Sequence, residues 1–295
     1  MMKTVKLSNG ESIAYRDQGT GAQHFIMLHG NMTSSVHLDV LFEGLPKEIR
    51  MIAPDLRGFG QSSYKNEINS LEDFADDVIE FADRLGINEF FLGGWSTGGG
   101  IAMEIAAKLP ERILGLILVE SVGIQGYPMM KKDDQGQPLV GTLLKTKEEI
   151  AVDPVQVVPV LQAYEHKNKE IMRAIWNGVI YTHQQPETER YDRYLNDMMT
   201  QRNLVDVDYA LVHFNISHQT NGVEEGNGRV DFIQRPVLVF QGSRDLVVPP
   251  YMGEGIRDAL GDKAIYETGE WGHSPFIDVP DFLCQRIETF LQTRQ

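Results

Sequence analysis

Cysteine is nearly absent: Cys284 is the one thiol in 295 residues. A lone cysteine forms no intramolecular disulfide, which excludes a disulfide scaffold and is compatible with a reducing compartment. It also leaves no cysteine pair for a zinc or redox site. Cys284 lies in an apolar C-terminal helix pattern and reads as a buried, inert thiol. No apolar run approaches the roughly 20 residues that span a bilayer. The first eight residues lack the apolar core of a signal peptide, so the expected location is cytoplasmic. Positive charge is scarce, with 27 lysines and arginines against 42 aspartates and glutamates, a formal net charge of −15. That balance argues against nucleic acid or an anionic membrane surface as a partner. Gly-x-x-x-x-Gly-Lys and His-Glu-x-x-His are missing, and no Gly-x-Gly-x-x-Gly follows the first parallel strand. No nucleotide, flavin, metal or other cofactor is therefore expected.

What is present centres on residues 90–107. A short apolar run, Phe90-Phe91-Leu92, meets the pentapeptide Gly94-Trp95-Ser96-Thr97-Gly98. An Ala-rich segment with helical spacing follows and stops at Pro110. Strand, sharp turn and helix is the context in which Gly-x-Ser-x-Gly builds a nucleophile elbow. A serine at the tip of so tight a turn is strained, and a Cβ two residues to either side would crowd it. Gly94 and Gly98 remove both, while Gly99 and Gly100 are expected to let the helix start close against its strand. The turn would lift the Ser96 hydroxyl to the carboxyl edge of a sheet. It would also aim the Thr97 N–H, at the helix N-terminus, at a developing oxyanion.

The rest of the chain supplies that sheet. Residues 3–7 and 12–16 read as strands joined by an Asn9-Gly10 turn. Further strands are expected at 24–28, 51–54, in the apolar run from Phe90 that leads into the elbow, and at 113–119, 236–241 and 263–268. Helices are expected at 36–45, 71–85, 251–260 and 281–292, the second with Ser70 as N-cap and Asp73 three residues on. The fold class is α/β: a mostly parallel eight-stranded sheet with helices on both faces. Between residues 122 and 230 the alternation breaks. Helical patterns appear there at 145–150, 154–167, 169–181 and 187–201, with many aromatics and no convincing buried strand. The expected division is a core of residues 1–121 and 231–295 and a helical cap of residues 122–230 over the carboxyl edge. The other reading of the insertion is an independent partner-binding domain.

A serine hydroxyl is a poor nucleophile near neutral pH and needs a base and an oxyanion site. His273, in a Gly-His-Ser-Pro loop after the last strand, is the candidate base. Asp245, in a loop just past a buried strand, is the candidate acid that orients the imidazole. Glu120, at the end of the 113–119 strand, is the alternative acid. Thr97 and Asn31 are the candidate oxyanion donors through their main-chain N–H groups, with Met32 as second choice to Asn31. The His29 side chain reads as structural, and Asp55 with Arg57 as a loop-fixing ion pair. The chain order is then Ser96, Asp245, His273, an arrangement that can support acyl transfer.

His29-Gly30, Asp55-Leu56-Arg57-Gly58-Phe59-Gly60-Gln61-Ser62, Gly94–Gly98, Asp245 and His273 together resemble the α/β-hydrolase fold family, over residues 3–121 and 231–293. Residues 29–35 also resemble the haloalkane dehalogenases. Those need a carboxylate nucleophile followed by Trp, and Ser96-Thr97 departs from that pattern, which argues against dehalogenation. Ser96 to Gly100 resembles the cofactor-free haloperoxidases or perhydrolases, which lack so large an insertion. Gly94 to Gly99 resembles the lipase-like box of intracellular short-chain polyhydroxyalkanoate depolymerases, and residues 119–128 are similar as well. The resemblance implies a serine ester hydrolase, with 3-hydroxybutyrate polyester or its oligomers as a substrate. Perhydrolase, lactonase or lyase chemistry on the same triad is the alternative. A small-molecule receptor on the same fold is the alternative of another class.

Overall fold

Three strands open the chain, and strand and helix alternate from Gln23 to Val119 because the apolar pattern does. The computed structural model describes residues 2–292; residues 1 and 293–295, the outer ends of the expected core, lie outside it. Strands β1 (Lys3–Lys6) and β2 (Ser12–Gln18) form the expected hairpin, with Gly10 of the turn at φ +88°. Then come β3 (Gln23–Leu28), a 3₁₀ turn at Ser35–Leu38, α1 (Asp39–Gly44) and β4 (Ile49–Pro54). Helix α2 (Leu71–Arg84) starts with a full capping box: Ser70 accepts from the Asp73 N–H and Asp73 accepts from the Ser70 N–H. Strand β5 (Phe90–Trp95), α3 (Thr97–Lys108) and β6 (Ile113–Val119) follow.

The next segment holds a hairpin, β7 (Met130–Lys132) and β8 (Pro138–Leu143), and five helices. These are α4 (Lys147–Ala151), α5 (Val158–His166), α6 (Lys169–Val179), α7 (Thr188–Met198) and α8 (Leu204–His213). The sequence reading missed the hairpin and α8. The hairpin is largely exposed and short, so it has no buried alternation to read. In α8 the valines and aspartates lower helix propensity and hide Leu204, Val207 and Leu211, spaced for one buried face. The chain then returns to β9 (Val237–Gly242), α9 (Pro250–Leu260), β10 (Ala264–Gly269), the single turn α10 (Pro275–Asp278) and α11 (Pro280–Gln292).

The main sheet has eight strands in the order β1-β2-β4-β3-β5-β6-β9-β10; the β1–β2 and β2–β4 pairings are antiparallel and the other five are parallel. Alternate residues of its inner strands feed two apolar layers. Ile26, Leu28, Leu116 and Leu118 pack with α2 and α3, while Phe25, Met27, Ile117 and Val119 pack with α1 and α11. This two-sided burial explains the continuous apolar runs at β3, β5, β6 and β9. Cys284 belongs to the second layer, and burial pushes its thiol up to about 11. The second layer runs on into the insertion: Trp95 meets Trp176 edge-on at 6.5 Å, and Trp176 continues to Tyr181 and Tyr191. Among the described residues no helix is long and apolar enough to cross a membrane.

Strand order decides where a ligand can sit. From β3 the chain moves outward to β4, and from β5 it moves the other way to β6. The crevice at such a reversal, beyond the carboxyl ends of the strands, is where open α/β sheets bind ligands. Here it lies between the His29 loop and the Ser96 turn.

Candidate active site

Ser96 sits at φ +55°, ψ −118°, between β5 and α3. This backbone state is costly for a residue with a Cβ and persists only under surrounding constraint. The constraint is visible. The Ser96 N–H donates to the Val119 carbonyl at 3.0 Å, and the Ser96 carbonyl accepts from the Gly99 N–H at 2.9 Å. A Cβ on Gly94 would overlap the Gly98 carbonyl, and one on Gly98 would press on the His29 and Leu28 carbonyls. Gly99 and Gly100 differ from the expectation. Their missing side chains make room for Ser121 and for Leu71 and Val122, so they bring α3 against neighbouring elements instead of its own strand.

His273 and Asp245 form a buried pair: His273 Nδ1 donates to Asp245 Oδ2 at 2.7 Å. The other oxygen, Asp245 Oδ1, accepts from the N–H groups of Val247 and Val248, both at 2.8 Å. That turn aims the carboxylate at the imidazole. Burial works against the Asp245 charge, but the His273 imidazole, its hydrogen bond and those from Glu120 and Val248 hold it below the ordinary carboxylate range. The His273 loop is anchored to the elbow, since Trp95 Nε1 donates to the His273 carbonyl at 2.9 Å and the two rings lie 5.7 Å apart. Ser96 Oγ and His273 Nε2 do not hydrogen-bond to each other in this arrangement. Such bonds commonly tighten only when substrate binds.

Glu120 lies beneath this pair, fully buried and at φ +44°. Its carboxyl accepts from the Gly242 N–H at 2.9 Å, from Gln241 Nε2 at 2.9 Å and from Trp271 Nε1 at 2.8 Å. It makes no hydrogen bond to His273, so of the two candidate acids only Asp245 meets the imidazole. Burial first, then the Asp245 charge beside it, raises the Glu120 carboxyl well above its usual value.

On the other side of Ser96, a cavity of about 100 Å³ is lined by Asn31, Met32, Ser96, Thr97 and Asp208 among others. The main-chain N–H groups of Asn31 and Thr97 have no hydrogen-bond partner among the described residues. The Met32 N–H is taken by Asn31 Oδ1 at 3.0 Å, which disfavours it as a donor to ligand. His29 holds this loop, as its sequence position suggested: Nε2 accepts from the Leu56 N–H at 2.9 Å and Nδ1 donates to the Gly30 carbonyl at 2.8 Å. Burial lowers its pKa to about 4, so the ring is neutral. The expected Asp55–Arg57 pair is not formed. Arg57 makes a two-pronged bond to Asp77 of α2, at 2.6 and 2.7 Å. Asp55 instead accepts from the Ser35 and Gln61 N–H groups.

Sequence reasoning passed over Asp208, Gln201 and Trp271, which all touch this site's framework. Asp208 comes from the missed helix α8, whose only sequence signal was an amphipathic pattern weakened by β-branched residues, and Gln201 closes the expected 187–201 pattern without a signal of its own. A larger cavity, about 250 Å³, lies beside Gly123, Tyr251 and Gly255 and touches none of the candidate catalytic side chains.

Residues 23–280 match the α/β-hydrolase fold family. The chain belongs to the α/β-hydrolase family. Among similar proteins, an α/β-hydrolase relative named haloalkane dehalogenase, from Mesorhizobium japonicum, is 28% identical over 55% of this chain and 56% of its own length. The chain thus spans about half of that relative. An uncharacterised hydrolase of Bacillus subtilis is 23% identical over 96% of both chains. Of solved structures, an esterase from Exiguobacterium antarcticum superposes with a TM-score of 0.74 at 20% identity, covering 99% of this chain and all of that one. An enol-lactonase from Burkholderia xenovorans gives a TM-score of 0.75 at 17% identity, over 98% and 99%. At such identities these structures speak for the α/β-hydrolase fold, and the chemistry has to be argued from the site.

Proposed function

We propose that this α/β-hydrolase is a serine carboxylic-ester hydrolase acting on short-chain esters, with an acyl-enzyme mechanism. One observation carries the reading. A strained serine faces a cavity lined by two residues with unpaired N–H groups, and a buried His–Asp pair is bolted to the tryptophan beside it. In this mechanism the Ser96 oxygen attacks the acyl carbon while His273 Nε2 takes its proton. Asp245 keeps the imidazole in the tautomer that presents Nε2 and stabilises the imidazolium. The Asn31 and Thr97 N–H groups hold the oxyanion of the tetrahedral intermediate. His273 returns the proton to the leaving alcohol, and water then repeats the sequence on the acyl-enzyme.

The cavity at Ser96 is smaller than the roughly 150 Å³ that accommodates benzene in an engineered core. That size favours a short acyl chain. The Gly94–Gly99 box supports 3-hydroxybutyrate polyester, or its oligomers, as a substrate. In this reading residues 122–230 act as a cap over a core of residues 1–121 and 231–295, and the enzyme works in the cytoplasm. The test is labelling by a fluorophosphonate. One equivalent on Ser96, abolished in Ser96→Ala, is the expected result. Absence of labelling, or labelling elsewhere, would overturn the mechanism.

A further inference from the structure

The Ser96 cavity contains a carboxyl group that the hydrolytic mechanism does not use. Asp208 of α8 lines it together with Ser96 and Thr97. Its Oδ1 accepts from Asn31 Nδ2 at 3.0 Å, and its Oδ2 has no hydrogen-bond partner among the described residues. No lysine or arginine among those residues pairs with it: Lys132 is engaged with Asp153 and Gln156, and Lys147 with Asp206. Gln156 in turn is the partner of the Tyr127 hydroxyl. Tyr127 and Gln156 line the cavity too, and Val122, Met129, Leu211 and Val248 beside them offer nothing to a carboxyl oxygen.

The position of Asp208 is enforced. Asn31 Oδ1 accepts from Gln201 Nε2 at 2.8 Å and from the Met32 N–H at 3.0 Å, which turns the Asn31 amide nitrogen toward Asp208. The residue proposed to supply an oxyanion donor therefore also fixes this carboxyl. Asp208 is half-buried, and its free oxygen is open to the cavity; a ligand that displaces the water there without bringing a donor leaves this acceptor unpaired, which is costly.

We propose that Asp208 is a specificity residue, accepting a hydrogen bond from a hydroxyl group on a short hydroxyacyl ester bound at Ser96. The inference rests on the ester-hydrolase reading. Hydroxyl suits the site better than ammonium. Burial raises the Asp208 carboxyl to about 7, so near neutrality it is partly protonated, which weakens its pull on a cation. A hydroxyl can donate to the carboxylate or accept from the acid. Discrimination is expected because an ester without the hydroxyl leaves Asp208 unpaired. In a 3-hydroxyacyl polyester only the chain end has a free hydroxyl, so this contact would direct cleavage to the terminal unit.

The test compares kcat/KM for ethyl 3-hydroxybutyrate, ethyl 3-methoxybutyrate and ethyl butyrate in wild type and Asp208→Asn. The methoxy ester keeps the oxygen and cannot donate. Asparagine keeps an oxygen for the Asn31 amide and replaces the free acceptor with a donor. Wild type should prefer the hydroxy ester over both analogues by about 10- to 100-fold, and the hydroxy-to-methoxy ratio should fall at least about tenfold in Asp208→Asn. No preference in wild type, or an equal loss on all three esters, would overturn the proposal. The same ratios are read as dissociation constants on Ser96→Ala protein, with and without Asp208→Asn. If no ester turns over but the binding preference is present and depends on Asp208, the hydrolase reading fails and the Asp208 contact stands. If plain esters turn over with no hydroxyl preference, the hydrolase reading stands and the contact does not.

Discussion

Glu120 and Asp245 join their carboxyl groups by a hydrogen bond, and only Asp245 reaches the imidazole of His273. Two carboxyls in contact inside a protein hold one proton between them. Here Glu120 keeps it, being raised by burial and by its neighbour's charge, while the partners of Asp245 keep that group ionised. The site thus presents one negative charge to His273, with a neutral acid supporting it from below.

Replacing Glu120 with glutamine should be mild, since the amide copies a protonated carboxyl: kcat should fall less than about tenfold and stability by roughly 1 kcal/mol. Alanine is different. It leaves the Gly242 N–H and Trp271 Nε1 without their acceptor, removes one of the acceptors of Gln241 Nε2 and opens a cavity, for a loss of about 3 kcal/mol or more in urea denaturation. The sign with pH follows from the raised folded value. Stability from Glu120 is complete below the ordinary glutamate range and is lost as pH rises toward the folded value. Glu120→Gln should flatten that part of the stability–pH curve.

Asp245→Asn should lower kcat on a short p-nitrophenyl ester by roughly 10⁴. The amide can no longer select the His273 tautomer that leaves Nε2 free. Activity close to wild type would remove Asp245 from the triad.

Gly94→Ala should fail to fold or lose about 4 kcal/mol or more, because the added Cβ meets the fixed Gly98 carbonyl. Gly86→Ala is the control. Gly86 has φ +70° in open space, so only the backbone preference is lost, about 1 kcal/mol. Thermal melting of the two variants separates crowding from conformational strain.

Asp197 of α7 accepts from Ser34 Oγ at 2.6 Å and lies 3.4 Å from His37 Nε2, tying the insertion to the turn that follows the Asn31 loop. Burial raises Asp197 to about 7, with Asp55 and Asp39 adding repulsion, and burial lowers His37 to about 3. The folded state therefore holds the Asp197 proton more tightly than the unfolded chain does. Its contribution is full below pH ~4 and is lost as pH rises to about 7. Asp197→Asn should remove a decline on the order of a few kcal/mol across that window, read from urea midpoints at pH 4.5 and 7.5.

Much of this was legible in the amino-acid order. The eight strands of the main sheet, the capping box at Ser70 and Gly94 before Ser96 all depend on local rules: alternation, capping geometry and the space needed by a Cβ. The direct contact between His273 and Asp245 was expected from loop positions alone. The Asp55–Arg57 pair was misjudged, because closeness in sequence does not reveal the partners that distant segments bring, here Asp77 for Arg57 and the Ser35 and Gln61 N–H groups for Asp55. Asp208 was invisible, since a carboxylate in a modest helix looks like any solvated one until the helix is seen against the elbow.

Local chemistry in the chain was enough to specify an elbow serine, the edge of the sheet where it stands, and the residue types able to serve it. The tertiary arrangement alone decided which carboxyl faces the imidazole, where the shared proton resides and which acid from the insertion enters the cavity. The reason is that charge placement depends on burial and on partners far away in sequence, and neither exists until distant segments pack together.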